Sequence, residues 1–177
     1  MINEEDIRQE TIMSVAQKMA IAARTAPKAR GTDNLIIRIC EKEDIEKISK
    51  QLVLDYKHSG EKEAFLLRDS ANILNASCLL LIATKVQVLG LDCGYCGYKT
   101  CKDKVEAGKN IPCFFNSEDL GLAVGSACSI AADNRVDNRV MFSAGRAAAR
   151  LGMVEGYTQC LAICLSASAK NPFFDRK

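Results

Sequence analysis

Four cysteines in one short segment constrain the folding of this chain more than any other feature. They are separated in turn by two, four and eleven residues, and they are Cys93, Cys96, Cys101 and Cys113. The first three lie close enough in sequence to surround one side of a compact inorganic centre, and the fourth, after Pro112, can close the other side. Gly94 and Gly97 each follow a cysteine, where a tight turn can bring backbone N–H groups near cluster sulfides. The spacing therefore predicts that these four thiolates bind a 4Fe–4S cluster.

Two other uses of these cysteines stay open from the sequence. Zinc typically takes two closely spaced cysteine pairs, or cysteines together with histidines, and no second short pair forms here. Free thiols without any metal are the other alternative. A disulfide framework fits poorly, because nine is an odd number of cysteines and the acidic start of the chain does not look like a secretory signal. We therefore expect a reducing, cytoplasmic compartment.

Length and composition favour one compact domain. A chain of 177 residues with 48% hydrophobic residues can bury a full core, so we expect a single domain over residues 1–177, with residues 91–115 inserted as the iron–sulfur segment. A net charge of +2 without a run of like charge argues against nucleic-acid binding. The longest apolar run, residues 78–83, has only the length of a strand, which argues against a membrane span.

Hydrophobic periodicity predicts mixed helices and strands. Strands are predicted over residues 35–40, 77–84 and 157–166. Helices are predicted before Pro27, around residues 45–56, over residues 62–75, through Ala131 in a stretch of small residues, and where Val140, Ala144, Ala147 and Leu151 recur before Gly152. Asn116 and Asp119 suit the cap and third position of the small-residue helix. This order predicts an α+β fold, and the chain has no G-x-G-x-x-G fingerprint of a doubly wound sheet.

The cysteine segment resembles the small 4Fe–4S domain of anaerobic electron-transfer and corrinoid proteins. The whole chain resembles the ferredoxin domain-containing (DUF2148-like) family of anaerobic bacteria and archaea. Two stretches carry that resemblance: Ala-Arg-Thr-Ala-Pro-Lys-Ala-Arg-Gly-Thr-Asp-Asn at residues 23–34 and Lys-Asn-Pro-Phe-Phe-Asp-Arg at residues 170–176. The resemblance implies an iron–sulfur redox protein of an anaerobe, and it implies no particular reaction.

The element order is also similar to the nitroreductase fold, a three-layer fold whose homodimers hold FMN at the subunit interface. In that family an Ala-Pro-Ser-Ala-x-Asn segment after the first long helix meets the flavin ring, and residues 26–34 occupy the comparable place here. Lys28 replaces the serine, Asn34 lies later than the family asparagine, and the Arg-Arg-Ser start that binds the flavin phosphate is absent. The resemblance implies flavin contacts from a set of six residues. The set comprises Arg24, Lys28, Arg30, Asn34, Lys170 and Arg176.

Several of these residues and their neighbours also have an interpretation in which they do not bind a cofactor. Arg24 and Lys28 also suit solvated charges at a helix end. The lysines near the cysteines, Lys99, Lys102 and Lys104, are either surface charge or an offset to a negative cluster that docks an acidic electron donor. Tyr95 and Tyr98 are expected to shield the cluster from water. His58, the only histidine, is expected to be exposed, and the cysteines outside the segment are expected to be small core residues.

Three functions remain open at this stage. The first is electron transfer or flavin-linked reduction of a small substrate by an FMN-dependent oxidoreductase. The second is a non-enzymatic electron carrier or binding module on a dimeric scaffold, with a redox partner protein. The third is a structural metal site that only fastens a loop. A homodimer is expected, because the small-residue helix from Leu120 to Ala131 and the aromatic residues Phe173 and Phe174 would present apolar surface in a monomer.

Overall fold

The computed structural model describes residues 1–108 and 111–174, and in these residues six α-helices surround one four-stranded sheet. The helices are α1 (Glu4–Thr25), α2 (Lys42–His58), α3 (Phe65–Ile73), α4 (Cys101–Ala107), α5 (Phe114–Asp133) and α6 (Phe142–Arg150). The strands are β1 (Leu35–Cys40), β2 (Cys78–Thr84), β3 (Asp137–Met141) and β4 (Gln159–Ser166). Short 3-10 turns lie at Ala29–Gly31 and Pro172–Phe174. No helix in the described part of the chain is long and apolar enough to cross a membrane.

The sheet is antiparallel throughout, in the order β1-β2-β4-β3. β2 is buried along its whole length because it lies between two strands and between two layers of helices. Its side chains alternate between those layers, so that Leu80 and Ile82 join one hydrophobic core while Leu79 and Leu81 join the other. The continuous apolar run that predicts β2 therefore reflects burial on both faces.

Helices cover both faces of the sheet and form three layers. α1 and α5 pack on one face, and α2, α3 and α6 pack on the other. The small residues of α5 allow it to lie close to α1, where Ala127 is fully buried and the Ser126 hydroxyl donates to the Ala22 carbonyl at 3.0 Å. On α6, an added Cβ at Gly145 would lie 2.1 Å from the Cys160 carbonyl oxygen, so only glycine fits this contact with β4.

The α+β, three-layer prediction is confirmed, and β1 has the predicted bounds. Two local predictions are wrong. Val140 belongs to the edge strand β3 and not to a helix, since α6 begins only at Phe142. Asn116 and Asp119 do not cap α5, because the helix begins earlier, with Cys113 as its N-cap. Both residues lie within the helix, and both side chains are buried in the protein.

Candidate iron–sulfur and flavin sites

The chain between β2 and α5 brings the four cysteines to one pocket. All four cysteines line it, although nineteen residues of sequence lie between Cys93 and Cys113. Cys101 is the first residue of α4 and Cys113 is the N-cap of the long helix α5, so two helix starts place two of the thiols. Cys93 is exposed and Cys113 is buried, so the pocket has an outer and an inner side.

Backbone turns and short hydrogen bonds hold this segment in shape. Gly94 and Gly97 have φ angles of 74° and 87°, and the Gly97 N–H donates to the Gly94 carbonyl at 2.9 Å. The Asp92 N–H donates to the Cys101 Sγ at 3.3 Å, while the Asp92 carboxylate accepts the Cys101 N–H at 2.6 Å. That hydrogen bond to the backbone holds the pKa of Asp92 below its usual range. An N–H donor at a cysteine sulfur is the kind of contact that tunes metal-bound thiolates.

A capping box starts α4 beside the pocket. The Thr100 hydroxyl accepts the Asp103 N–H at 3.1 Å, and the Asp103 carboxylate accepts the Thr100 N–H at 3.1 Å. The Thr-x-x-Asp pattern of the sequence is the signal that could have predicted this helix start. It orients Cys101 toward the pocket by fixing the first turn.

Aromatic side chains surround part of the pocket. Tyr98 and Phe115 line it directly. Tyr95 is 68% exposed and packs edge-on against Phe114, with 5.2 Å between the ring centroids. Tyr98 thus lies where it can shield a bound group, while Tyr95 covers the outer side of Phe114 and Phe115.

The thiols that line the pocket are not gathered around one point. In residues 1–108 and 111–174, no group of three or more His, Cys, Asp or Glu side chains is placed to hold one metal ion. A zinc ion would need four donors within about 2.3 Å of one point. A 4Fe–4S cluster likewise needs its four thiolates to converge on it, so the choice between the two centres rests on the spacing of the cysteines.

Lys104 lines the same pocket and is buried, with 2% of its surface exposed. Lys99 and Lys102 are exposed, and the Lys102 side chain retains 84% of its accessible surface. Lys104 is therefore not a surface charge, whereas exposure of its two neighbours fits both surface charge and the docking of an acidic electron donor. Cys101 and Lys104 are three residues apart on α4, a helical spacing that places both on one face and could have distinguished Lys104 from Lys102.

The second candidate site is the segment at residues 26–34, which follows α1. Arg24 donates to the Asp33 carboxylate at 2.6 Å and to the Leu35 carbonyl at 3.0 Å. The Lys28 ammonium donates to three carbonyls at the end of α1 at 2.7 to 3.0 Å, those of Ala23, Arg24 and Ala26. Burial lowers the pKa of Lys28, and Asp33 partly offsets this. A phosphate at either residue would compete with these contacts.

Arg30 has a different arrangement. Its φ angle of 57° is unusual for a residue with a side chain, and it lies beside Gly31 in a tight turn. Its Nη1 donates to the Leu89 carbonyl at 2.7 Å, which leaves its other N–H groups for a ligand. Lys170 is exposed and has a partner, and Arg176 lies outside the described residues.

Buried polar atoms without partners adjoin residues 26–34. Asn34 is 3% exposed, and neither its amide nitrogen nor its amide oxygen has a hydrogen-bond partner. On α5, the amide nitrogen of Asn116 and one carboxylate oxygen of Asp119 are likewise buried without partners. Buried groups of this kind are costly unless something satisfies them, so they fit the polar edge of a bound ring.

α5 joins the two candidate sites. The Asn116 amide oxygen accepts the Gln87 N–H at 2.9 Å on the cysteine side, and the Asp119 carboxylate accepts the Ala29 N–H at 3.0 Å on the other. The contact between Arg30 and Leu89 makes a second link. The sequence gives no signal for this pairing, because the partners of α5 are 29 and 90 residues away.

The remaining cysteines and the histidine follow expectation. Cys40, Cys78, Cys160 and Cys164 are buried in the sheet, and Cys128 is half-buried on α5. Burial raises the pKa of the Cys78 and Cys160 thiols to about 12. His58 is exposed at the last residue of α2.

Known proteins share parts of this sequence. Residues 109–176 match the family described as "Uncharacterized protein containing a ferredoxin domain (DUF2148)". The matched part includes Cys113 but not the other three cysteines of the pocket. A protein of Archaeoglobus fulgidus, described as an uncharacterized protein, is 34% identical over 99% of this chain and 97% of its own length. The chain belongs to this ferredoxin domain-containing family. Membership indicates a redox function and an iron–sulfur centre.

Solved structures show the fold. A nitroreductase with bound FMN from Bacteroides fragilis matches with a TM-score of 0.62 at 10% identity, over 93% of this chain and 81% of that chain. A BluB-like flavoprotein from Clostridium difficile matches with a TM-score of 0.60 at 19% identity, over 89% and 84%. A nitroreductase with bound FMN from Desulfitobacterium hafniense matches with a TM-score of 0.60 at 16% identity, over 96% and 92%. The family member described here has the predicted nitroreductase fold.

Proposed function

We propose that this protein is an iron–sulfur redox protein that couples a 4Fe–4S cluster at Cys93, Cys96, Cys101 and Cys113 to an FMN beside residues 26–34. Residues 91–115 form the inserted cluster segment of a single domain. When bound, the two groups would supply one-electron transfer and flavin-linked reduction of a small substrate. The residues of the chain position these groups and exclude water from them.

One observation carries the proposal: four thiols that are separated in sequence line one pocket, and an N–H group already donates to one of them. Four thiolates are the usual ligand set of a cubane cluster. The Asp92 N–H orients the Cys101 sulfur, and Phe115 and Tyr98 limit access of water. The spacing of the four cysteines, which contains no second short pair, favours this cluster over a structural zinc ion.

The flavin half rests on the unpartnered buried atoms of Asn34, Asn116 and Asp119. These atoms offer both donors and acceptors, as the polar edge of a flavin ring requires. Arg30 is the phosphate ligand that we favour, since Arg24 and Lys28 already have partners. Lys170 and Arg176 complete the basic set as the nitroreductase resemblance implies. The similarity to structures with bound FMN makes this cofactor the first to test.

We also propose a cytoplasmic homodimer. The expectation that Phe173 presents apolar surface is wrong, since it is fully buried in the core. Phe174 and Phe142 are each 56% exposed and Leu122 on α5 is 46% exposed, and these side chains supply the apolar surface instead. Sedimentation of the protein at micromolar concentration with an intact cluster tests this directly. A monomer would remove the dimer from the proposal.

Anaerobic purification followed by iron, acid-labile sulfide and flavin analysis tests the function. We expect four iron and four sulfide per chain, together with saturable FMN binding. Iron and sulfide at a negligible level after reconstitution would overturn the cluster assignment. Zinc in their place would favour a structural metal.

A second candidate is an electron carrier that binds no flavin. The existing hydrogen bonds of Arg24 and Lys28 favour this carrier function. Both side chains would have to release their present partners in order to bind a phosphate. Titration of cofactor-free protein with FMN separates the two functions. Absence of saturable binding at tens of micromolar flavin, with a folded protein and an intact cluster, would leave the carrier.

A further inference from the structure

A reciprocal pair of hydrogen bonds joins Asp92 to the predicted cluster ligand Cys101. The Asp92 N–H donates to the Cys101 Sγ at 3.3 Å, and the Cys101 N–H donates to the Asp92 Oδ1 at 2.6 Å. Each residue thus gives its backbone N–H to the side chain of the other. The pair closes the loop at residues 92–101, which carries Cys93 and Cys96 and ends at the first residue of α4.

The backbone of Asp92 has a conformation that needs such support. Its φ angle is 46°, in the left-handed region that residues with a side chain adopt rarely, although Asp and Asn tolerate it better than most. A short polar side chain stabilises an irregular backbone when it accepts a nearby N–H. The Asp92 carboxylate does this through the Cys101 N–H. The side chain of Asp92 therefore fixes the turn from which its own N–H reaches the sulfur.

An N–H group at a ligand sulfur affects the two oxidation states of a cluster differently. Reduction adds one electron, and part of the added negative charge lies on the thiolate sulfurs. A hydrogen bond to a more negative acceptor is stronger, so the N–H stabilises the reduced state more than the oxidised state. Hydrogen bonds to the sulfurs are accordingly one of the features that set the reduction potential of a cluster.

We propose that Asp92 is a positioning residue whose carboxylate keeps its own N–H on the Cys101 sulfur and thereby raises the midpoint potential of the cluster. The inference rests on the proposed function, since it assumes that Cys101 and the other three cysteines bind an iron–sulfur cluster. The electron comes from an external one-electron reductant, and no covalent bond forms or breaks. Asp92 acts through the position of a backbone group and does not ligate iron.

The negative charge of Asp92 has an effect of its own, because a nearby carboxylate disfavours the reduced cluster. Asp92→Asn and Asp92→Ala both remove this charge, but the asparagine keeps an amide oxygen that can accept the Cys101 N–H. The difference between the two variants therefore isolates the hydrogen bond. Glu106 provides the matched control pair, because it is an exposed acid on the same helix whose carboxylate lies 3.8 Å from the Lys102 ammonium.

The experiment compares Asp92→Asn, Asp92→Ala, Glu106→Gln and Glu106→Ala in anaerobic protein that contains its cluster. Dithionite titration followed by electron paramagnetic resonance gives the midpoint potential, and iron and sulfide analysis gives cluster content. At a fixed potential, we expect the ratio of reduced to oxidised cluster to be about fivefold lower in Asp92→Ala than in Asp92→Asn, a shift of about 40 mV at about 59 mV per tenfold change. The two Glu106 variants should differ by no more than about 1.5-fold.

Equal potentials in Asp92→Asn and Asp92→Ala, with full cluster content, would overturn the inference. A difference of the same size between the two Glu106 variants would also overturn it, since the contact with Cys101 would then be irrelevant. If Asp92→Ala does not retain its cluster, Asp92→Gly replaces it, because glycine adopts a φ of 46° without strain and also lacks the acceptor. A potential of Asp92→Gly below that of Asp92→Asn supports the inference, and an equal potential overturns it.

Cluster-free protein gives a second measurement that does not depend on cluster retention. Hydrogen exchange of the residue-92 amide, followed by NMR and corrected for intrinsic rates, reports on the N–H that donates to the Cys101 sulfur. We expect this amide to exchange at least about threefold faster in Asp92→Ala than in Asp92→Asn, because the alanine cannot hold the turn. Equal rates would show that the carboxylate does not position the N–H, and would overturn the inference.

Failure of the proposed function is distinguishable from failure of this inference. Wild-type protein without iron and sulfide after reconstitution removes both. Wild-type protein with a reversibly reducible cluster, together with equal potentials in Asp92→Asn and Asp92→Ala, removes only the positioning role of Asp92. Recovery of the potential by asparagine but not by alanine or glycine is a result that a role in loop stability alone would not produce.

Discussion

The cysteines of the sheet and those of the cluster segment share a side chain but not an environment. Cys78 and Cys164 are fully buried among aliphatic side chains, and burial raises the pKa of Cys78 to about 12 and that of Cys40 to about 11. In the segment, Cys93 is exposed and Cys101 receives an N–H group from Asp92. Apolar burial keeps a thiol protonated and inert, whereas turns, N–H donors and a shared pocket prepare a thiol to bind metal.

The sharpest test of this contrast uses two buried cysteines, one from each region. Cys113 is 6% exposed and Cys160 is 9% exposed, so burial does not distinguish them. We expect Cys113→Ala to lose most of its iron and sulfide, because it removes a predicted cluster ligand, while Cys160→Ala retains both. The fourfold replacement of Cys93, Cys96, Cys101 and Cys113 by Ala should abolish the cluster. Iron and sulfide analysis after anaerobic reconstitution measures the outcome, and wild-type sulfide in the fourfold variant would disprove the ligand set.

A second prediction concerns a substitution that disturbs the packing of a helix on the sheet and leaves the four predicted cysteine ligands unchanged. Gly145→Ala would place a Cβ against the Cys160 carbonyl, where no flexible side chain can move aside. We expect it to lower the free energy of unfolding by about 3 kcal/mol, as overpacking does in dense cores. Urea unfolding of the wild type and the variant measures the difference.

Gly125→Ala is the matched control for that substitution. Gly125 lies in the interior of a helix, as Gly145 does, but an added Cβ there meets nothing within 4 Å. We expect it to be neutral or to stabilise by up to about 1 kcal/mol, because alanine suits a helix better than glycine does. Equal effects of the two substitutions would show that the contact at Cys160 is not restrictive.

The two regions also differ in how far the sequence predicts them. The buried strand β2 is predicted correctly because its signal is local, and the spacing of the four cysteines is a local signal of the same kind, whose ligand assignment stays a prediction. The strand β3 is not predicted from the sequence, because its residues Asp137, Asn138 and Arg139 are polar residues of an edge strand. In addition, Val140 recurs at helical spacing with Ala144, which predicts a helix there.

Tertiary contacts are not predicted from the sequence for a different reason. Asn116 and Asp119 look like helix-cap residues, yet they lie inside α5 and accept N–H groups from Gln87 and Ala29. No pattern within α5 indicates those partners, which come from other parts of the chain. Lys28 likewise is expected from the sequence to be a ligand of the flavin phosphate. In the structure its ammonium donates to three carbonyls at the end of α1.

A third prediction separates the flavin site from the cluster. Arg30→Ala should weaken FMN binding by about 1.5 to 3 kcal/mol, the scale of a charge-assisted hydrogen bond, and should leave the iron content unchanged. Arg38→Ala is the control, since Arg38 is an exposed arginine on β1. Fluorescence quenching during anaerobic FMN titration measures both. Equal affinity in the two variants would remove Arg30 from the phosphate site, and loss of iron with Arg30→Ala would mean that the contact with Leu89 supports the cluster instead.

Counted per pH unit, the smallest of these effects is the pH dependence of stability that one buried sheet thiol contributes. Burial raises the pKa of Cys160 from 9.0 to about 12, so its neutral form is favoured in the folded protein. A group with a raised folded pKa contributes stability that is complete below pH 9.0 and is lost as the pH rises toward about 12. Unfolding free energies between these limits should fall more steeply with Cys160 present than in Cys160→Ala, by at most about 1.4 kcal/mol per pH unit. Measuring the pair in the fourfold Cys→Ala background removes the cluster from the comparison. Parallel slopes there would show that Cys160 ionises as freely in the folded chain as in the unfolded one, and would remove burial as the reason why this thiol stays protonated.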